Sequence, residues 1–186
     1  MSAVEPRARF AVQSRVLHWL MAAMLLAMLL IGVSMVASLG RYHMLLAIHR
    51  PLGIVILVLA AIRLINRRLT TLPPFLASMS GREQRLISMS ERLLYGLMLA
   101  LPLVGWGMLS AGHYPIVLLG PVHLLPILPV APWLYAVLRR THTILALLLL
   151  VTFLGHLGTV LFHTLIRRDR ILDRMAVWPA RFARRD

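Results

Sequence analysis

Four long stretches of the chain carry almost no charged side chain, and this pattern restricts the fold more than any other feature. Residues 17–40, 93–138 and 141–166 contain no charged residue, and Arg50 is the one charge within residues 42–62. A helix needs about 20 predominantly apolar residues to cross the hydrocarbon core of a bilayer. We therefore predict four membrane-spanning helices, near residues 17–38, 44–65, 92–111 and 140–166.

The amino-acid composition favours the same fold. The 186 residues are 60% hydrophobic and 14% charged, whereas a soluble domain is usually about half apolar and about a quarter charged. A water-facing domain of this size cannot bury so much apolar surface. We expect a single all-α domain over residues 1–186, an integral membrane four-helix bundle. Its first apolar run is too long for the core of a signal peptide, so we expect that run to be retained.

The second half of the third apolar run differs from the first. It contains five prolines and two glycines: Gly112, Pro115, Gly120, Pro121, Pro126, Pro129 and Pro132. Proline removes a backbone donor and breaks a helix, so residues 112–138 are predicted to form an apolar loop. This loop would lie at the membrane interface or fold over the bundle, and Trp133 and Tyr135 suit the depth of the lipid headgroups.

All twenty basic residues are arginine, and they are divided unevenly between the two sides of the predicted bundle. Sixteen lie on the side of the termini, together with all six acidic residues. The four on the other side are Arg41, Arg50, Arg139 and Arg140. Cytoplasmic loops are rich in Arg and Lys, so we predict a multi-pass protein of the bacterial inner membrane with both termini in the cytoplasm. Arginines placed between apolar runs indicate membrane orientation, and we expect no nucleic-acid partner.

Four histidines lie at depths that match in two pairs. His18 and His156 fall near the cytoplasmic surface, on helices one and four. His49 and His142 fall near the outer surface, on helices two and four, and His142 lies about 21 Å along the helix from His156. Two imidazoles from different helices at one depth are what the axial ligation of a b-type haem requires. Hydrogen-bonded packing histidines, a zinc site and a small histidine-lined permease remain alternatives at this point.

The absence of cysteine excludes other kinds of redox site. No disulfide, thiolate metal site, iron–sulfur cluster or haem attached through a C-x-x-C-H motif can form. A haem would therefore be held without a covalent attachment to cysteine.

Several short motifs along residues 10–175 resemble those of the bacterial cytochrome b561 family, membrane proteins with four helices and two haems. They are Arg15–Val16–Leu17–His18–Trp19–Leu20, His49–Arg50–Pro51–Leu52–Gly53, Arg63–Leu64–Ile65–Asn66–Arg67, Tyr95 with Leu101–Pro102–Leu103–Val104–Gly105–Trp106, and His163 with Arg168–Asp169–Arg170–Ile171–Leu172–Asp173–Arg174–Met175. The resemblance implies that the irons of two haem b groups are ligated by His18 with His156 and by His49 with His142.

Two further positions are interpreted through this resemblance. Gly53 lies one helical turn after His49, where a porphyrin could pass close to the backbone. A helix–helix contact through the small residue is the alternative explanation. Glu91 departs from the family, which often has histidine four residues before the tyrosine of helix three. A proton or quinone role for that position is therefore in doubt.

The resemblance also implies an activity. Some members oxidise superoxide on the outer side and reduce ubiquinone in the membrane. Others are cytochrome b subunits that link a partner dehydrogenase or another redox partner protein to quinone. Outer arginines without acidic neighbours would steer an anion such as superoxide, which favours a superoxide:quinone oxidoreductase. Arg139 and Arg140 could instead neutralise haem propionates or bind the headgroups of membrane lipid.

A quinone site is expected at the cytoplasmic side. His163 follows His156 by seven residues, near the inner surface, and Ser14, Arg15 and Arg63 lie at the same depth. We expect His163 to be the partner of a ubiquinone carbonyl beside the inner haem. The alternative is a histidine that caps the end of the helix.

Overall fold

The structure is a computed structural model and describes residues 9–76, 78–169 and 171–178. The long helices of this part of the chain are α1 (Val12–Ala37), α2 (Tyr42–Leu69), α3 (Gly81–Ala111) and α4 (Pro132–Leu161). Its shorter elements are a 3-10 turn (Leu39–Arg41), strands β1 (Val117–Leu119) and β2 (Val122–His123), a π-helical turn (Phe162–Arg167) and a second 3-10 turn (Ile171–Arg174). Each long helix is long and apolar enough to cross a membrane, which confirms the predicted all-α membrane bundle.

Helix α3 is longer than the apolar run predicted, because it begins at Gly81 and not near residue 92. The Ser80 hydroxyl accepts a hydrogen bond from the Glu83 backbone N–H, and the Glu83 carboxylate accepts one from the Ser80 N–H. This capping box satisfies two backbone donors that have no partner within the helix. A run without charged residues indicates only the part of a helix that lies in lipid. Helix α3 extends beyond that part toward the termini end.

The prediction of a loop over residues 112–138 is wrong for its last part, because α4 begins at Pro132. Proline is favourable in the first turn of a helix, where its missing N–H has no partner to lose. Residues 112–131 form the connection between α3 and α4, and β1 and β2 pair within it as a short antiparallel hairpin.

The connection is fastened to the end of α3. The Trp106 indole N–H donates a hydrogen bond to the Leu125 carbonyl at 2.9 Å. The buried Ser110 hydroxyl accepts a hydrogen bond from the Ile127 N–H at 3.1 Å and donates one to the Trp106 carbonyl at 2.9 Å. We call this end of the bundle, where α1 and α3 end and α2 and α4 begin, the loop end. The opposite end is the termini end.

Consecutive helices pack against one another, α1 on α2, α2 on α3 and α3 on α4. The core draws on all four helices: Met21, Leu25, Ile56, Leu59, Ala60, Tyr95, Leu97, Met98, Leu101 and Leu149. Many large apolar side chains point outward, among them Leu30, Val151 and Leu165, which are 60%, 66% and 64% exposed. Because water would not favour so large an apolar surface, these side chains lie against lipid.

The last described residues fold back over the start of α1 at the termini end. Arg15 Nη1 donates a hydrogen bond to the Ala176 carbonyl at 2.7 Å, and the Trp19 indole N–H donates one to the Met175 carbonyl at 2.9 Å. The segment therefore covers the part of α1 that carries His18. Some arginines assigned to this side from the sequence lie outside the described residues: Arg7, Arg170, Arg181, Arg184 and Arg185.

Replacing Ser110 by alanine should loosen the connection while the helices remain folded. Ser110 is 3% exposed, and Ser110→Ala removes its hydrogen bond with the Ile127 N–H, at a cost of about 0.5–1.5 kcal/mol. Amide hydrogen exchange over residues 122–131 is expected to quicken. Ser90→Ala is the matched control, because the Ser90 hydroxyl bonds to the Ile87 carbonyl of its own helix. Equal exchange in both variants would contradict this prediction.

Candidate functional site

Two imidazoles face each other at the termini end of the bundle. His18 lies in the second turn of α1 and His156 near the end of α4. Their ring centroids are 6.4 Å apart, and the planes of the rings are inclined at 60°. Helices far apart in the sequence thus bring these two side chains together.

A second pair lies at the loop end. His49 comes from the early part of α2 and His142 from the third turn of α4. Their ring centroids are 6.2 Å apart at an inclination of 66°, nearly the same geometry as in the first pair. The structure therefore brings together the same two pairs of residues that the depths along the helices predicted.

The separation within each pair matches the space that a metal ion needs between two imidazoles. A bond from an imidazole nitrogen to a metal ion is about 2 Å long, so two rings on opposite sides of one ion have centroids about 6 Å apart. Bis-imidazole ligation of haem iron has this arrangement. In addition, His49 Nδ1 is buried and has no hydrogen-bond partner among the described residues. The residues present therefore fit a haem in each pair.

Gly105 of α3 is a site residue that the sequence reasoning missed. A Cβ atom at this position would lie 3.3 Å from His142 Cε1, closer than is usual for such a contact. The missing side chain of Gly105 thus makes room for the His142 ring. Glycine lowers the stability of a helix, so a glycine within an apolar helical run was the available signal that another group approaches the backbone there.

Gly53 has different surroundings. A Cβ atom there would lie 3.7 Å from Met28 Cε of α1, which is an ordinary van der Waals contact. The structure therefore places Gly53 beside Met28 of α1, and its role in packing against a porphyrin stays a prediction.

A cluster of polar side chains surrounds His18. Arg63 Nη2 lies 2.8 Å from His18 Nδ1, within hydrogen-bond distance. The same guanidinium lies over the ring of Tyr95, 5.4 Å from the ring centroid. Nearby, Arg67 and Glu91 form an ion pair at 2.6 Å. Glu91, the position at which the chain departs from the family, thus balances one of the arginines of α2.

The four residues predicted to form a quinone site are divided between two places. Ser14 accepts a hydrogen bond from Asn66 at 2.7 Å, Arg63 contacts His18, and Arg15 bonds to the C-terminal segment. His163 lies in the π-helical turn, where its Nδ1 is 2.5 Å from Asp169 Oδ2. No hydrogen bond or ring contact between described residues joins His163 to the other three.

Arg41, Arg139 and Arg140 of the loop end are exposed, and Arg50 is half-buried. Arg139 and Arg140 line an open groove along the first turns of α4, together with Tyr135, Ala136, Thr143 and Ile144. Arg50 Nη1 lies 3.3 Å from the Pro115 carbonyl of the connection, to which it donates. Positive charge thus surrounds the end of the bundle that holds His49 and His142.

Within residues 9–76, 78–169 and 171–178, no group of three or more His, Cys, Asp or Glu side chains is placed to hold a metal ion. This donor set gives no support to the zinc alternative. Two facing imidazoles suffice for haem iron, because the porphyrin supplies the other ligands.

Comparison with known proteins identifies the family. The family model for prokaryotic cytochrome b561 matches residues 9–177, which is most of the chain and includes both histidine pairs. No curated protein matches the chain. The family match confirms the resemblance drawn from the sequence motifs. The chain belongs to the prokaryotic cytochrome b561 family, which indicates a membrane protein that binds haem b and transfers electrons.

Proposed function

We propose that the chain holds two b haems and passes electrons singly from superoxide at the loop end to ubiquinone at the termini end. One haem is held between His18 and His156, and the other between His49 and His142. The observation that carries this proposal is the geometry of the two imidazole pairs, with centroid separations of 6.4 Å and 6.2 Å.

Haem b, when bound, supplies a carrier for one electron at a time, and two axial imidazoles leave no iron position open to oxygen. His142 and His156 belong to the same helix and are separated by about 21 Å along its axis. Helix α4 therefore fixes the spacing between the two sites, and electrons need to travel only part of the membrane thickness in each step. The apolar outer surface of the bundle keeps both sites within lipid.

The arginines support an orientation with the termini end in the cytoplasm. Sixteen of the twenty lie on that side in the sequence, and this bias is the pattern of cytoplasmic loops. The loop end, with Arg41, Arg50, Arg139 and Arg140, then faces outward. A surface that carries these cations without acidic neighbours attracts a small anion, and superoxide is an anion of this kind.

Quinone dissolves in the bilayer, so its site must lie near a haem on a part of the bundle that lipid reaches; Leu165 and Ile166 of the π-helical turn are exposed, while the His163 ring is buried behind the surface. His163 follows His156 by seven residues, about 10 Å along the helix, and its ring has one nitrogen left to meet a quinone carbonyl. Ser14, Arg15 and Arg63 already have partners. We therefore assign the carbonyl contact to His163, with Arg63 supporting the inner haem ligand.

The ligand assignment predicts the effect of removing one histidine from each pair. His18→Ala and His49→Ala should each lose about half of the bound haem, because each deletes one of two separate sites. Haem quantified per chain, with a reduced-minus-oxidised spectrum, measures this loss. His43→Ala is the control, since His43 belongs to neither pair and meets the Tyr42 ring edge-on. Full haem content in either ligand variant would contradict the assignment.

The quinone assignment predicts that His163→Ala slows reoxidation of the reduced protein by ubiquinone. A loss on the order of 100-fold is expected, because the quinone oxygen loses its hydrogen-bond and proton donor. Stopped-flow absorbance of the haems follows the reaction. Leu165→Ala is the control, because this exposed side chain lies in the same turn. An unchanged rate in His163→Ala, with intact haem spectra, would rule out the site.

The superoxide assignment predicts that a variant with both Arg139→Gln and Arg140→Gln is reduced about tenfold more slowly by superoxide. The remaining rate should depend less on ionic strength, because electrostatic steering is screened by salt. The matched control is Arg68→Gln with Arg85→Gln, which removes the same charge from the termini end. Equal losses in both double variants would contradict steering at the loop end, and a wild type indifferent to superoxide would favour a redox partner protein as donor.

A further inference from the structure

We propose that Asp169 is a positioning residue that holds His163 as the proton donor to the quinone oxygen. This inference rests on the proposed function, since it concerns the same quinone site. It adds a residue outside the set of site residues identified from the sequence.

The turn around His163 is built so that Asp169 returns to the ring. The π-helical turn is followed by Arg168, whose φ of 52° lies in the left-handed region and reverses the direction of the chain. The Asp169 N–H then donates a hydrogen bond to the His163 carbonyl at 3.2 Å. The Asp169 side chain meets His163 Nδ1 at 2.5 Å through Oδ2, and its Oδ1 accepts from the Ile171 N–H at 3.2 Å. Backbone and side chain thus fix the same pair of residues.

Because both side chains are buried, the donor and the acceptor of the hydrogen bond between them can be assigned. The His163 and Asp169 side chains are 3% and 12% exposed, so a carboxylate in this place requires a donor. A carboxylate only accepts, and the proton between the two groups is therefore carried by Nδ1. Nε2 is the ring nitrogen that remains for the proposed contact with the quinone. The same division of roles, in which aspartate sets the tautomer and orientation of histidine, operates in the triads of serine proteases.

π-helical turns occur frequently at functional sites, and this one has a clear local effect. The wider turn carries His163 beyond the regular part of α4, whose last helical residue is Leu161. The ring is therefore held by the turn and by Asp169, and not by packing within a regular helix.

The chemistry requires a donor of this kind. Reduction of quinone to quinol takes two electrons, which haem b would supply singly, and two protons, one for each carbonyl oxygen. At the oxygen that His163 contacts, the His163 Nε2–H bond breaks and an O–H bond forms, and the other oxygen takes its proton from water. Asp169 stabilises the imidazolium before this transfer and retains the Nδ1–H after it. Water at the cytoplasmic surface then returns a proton to Nε2.

Other charged groups near the ring are balanced. Glu83 of α3 interacts electrostatically with His163, and it is paired with Arg167 of the π-helical turn. Among the described residues, Asp169 is the acid in direct contact with the ring. The negative charge that acts on His163 is therefore mainly that of Asp169.

The test compares Asp169→Asn with Asp173→Asn, which removes the same charge four residues further along. Asn keeps the shape of Asp but lacks its charge. Reduced protein is mixed with a short-chain ubiquinone from pH 5.5 to 9 and, separately, with ferricyanide, which accepts electrons without protons. We expect reoxidation by quinone to slow about tenfold or more in Asp169→Asn, with an altered pH profile. Reoxidation by ferricyanide and the haem spectra should be unchanged, and Asp169→Glu should recover part of the rate.

Each other outcome overturns the inference in a recognisable way. If His163→Ala slows reoxidation by quinone and Asp169→Asn does not, Asp169 has no role in the transfer, while the quinone site stands. If Asp169→Asn slows ferricyanide as much as quinone, or changes the haem spectra, Asp169 has a purely structural role. If neither His163→Ala nor Asp169→Asn affects the quinone reaction, the proposed quinone site itself is wrong.

Discussion

A buried imidazole within a bilayer needs a partner, and the organisation of this bundle follows from the two pairs of imidazoles that face each other inside it. Helix α4 contributes one member to each pair, while α1 and α2 supply the others. Helix α3 carries no ligand candidate, but its Gly105 opens the space that the His142 ring occupies. The close packing of α3 on α4 therefore supports the site at the loop end.

The two ends of the bundle differ in ways that suit different reactants. At the loop end, arginines stand at the surface, and the hairpin connection is bonded to α3 through Trp106 and Ser110. At the termini end, polar groups are paired with one another, as Arg63 is with His18 and the partly exposed Arg67 is with Glu91. Arginines at the surface suit the attraction of an anion. Paired polar groups beside the histidines suit the orientation of a neutral molecule and the delivery of protons.

Much of the fold could be predicted from the sequence, because lipid imposes a simple pattern on charge and length. The spans and the histidine pairing followed from that pattern, since the depth of a residue in a helix is set by its position in the chain. The ends of the helices did not follow. Ser80 and Glu83 form a capping signature that lies outside the apolar run, and Pro132 begins a helix where a cluster of prolines indicated a loop.

The local chemistry of the site was harder to predict, because it depends on contacts between distant residues. Nothing in the spacing indicates that Arg63 bonds to His18, or that Gly105 lies against His142. The contact of Asp169 with His163 depends on a π-helical turn and a left-handed residue, and helical periodicity does not reveal either. Predictions that assume regular helices are least accurate where the backbone is irregular in this way.

The central claim is that each imidazole pair holds one haem. The most direct test is the amount of haem b per chain in the purified wild-type protein, measured from the pyridine haemochrome spectrum against a protein concentration from amino-acid analysis. The account predicts two haems per chain, one for each pair at about 6 Å. One haem, or none, in fully loaded protein would contradict it.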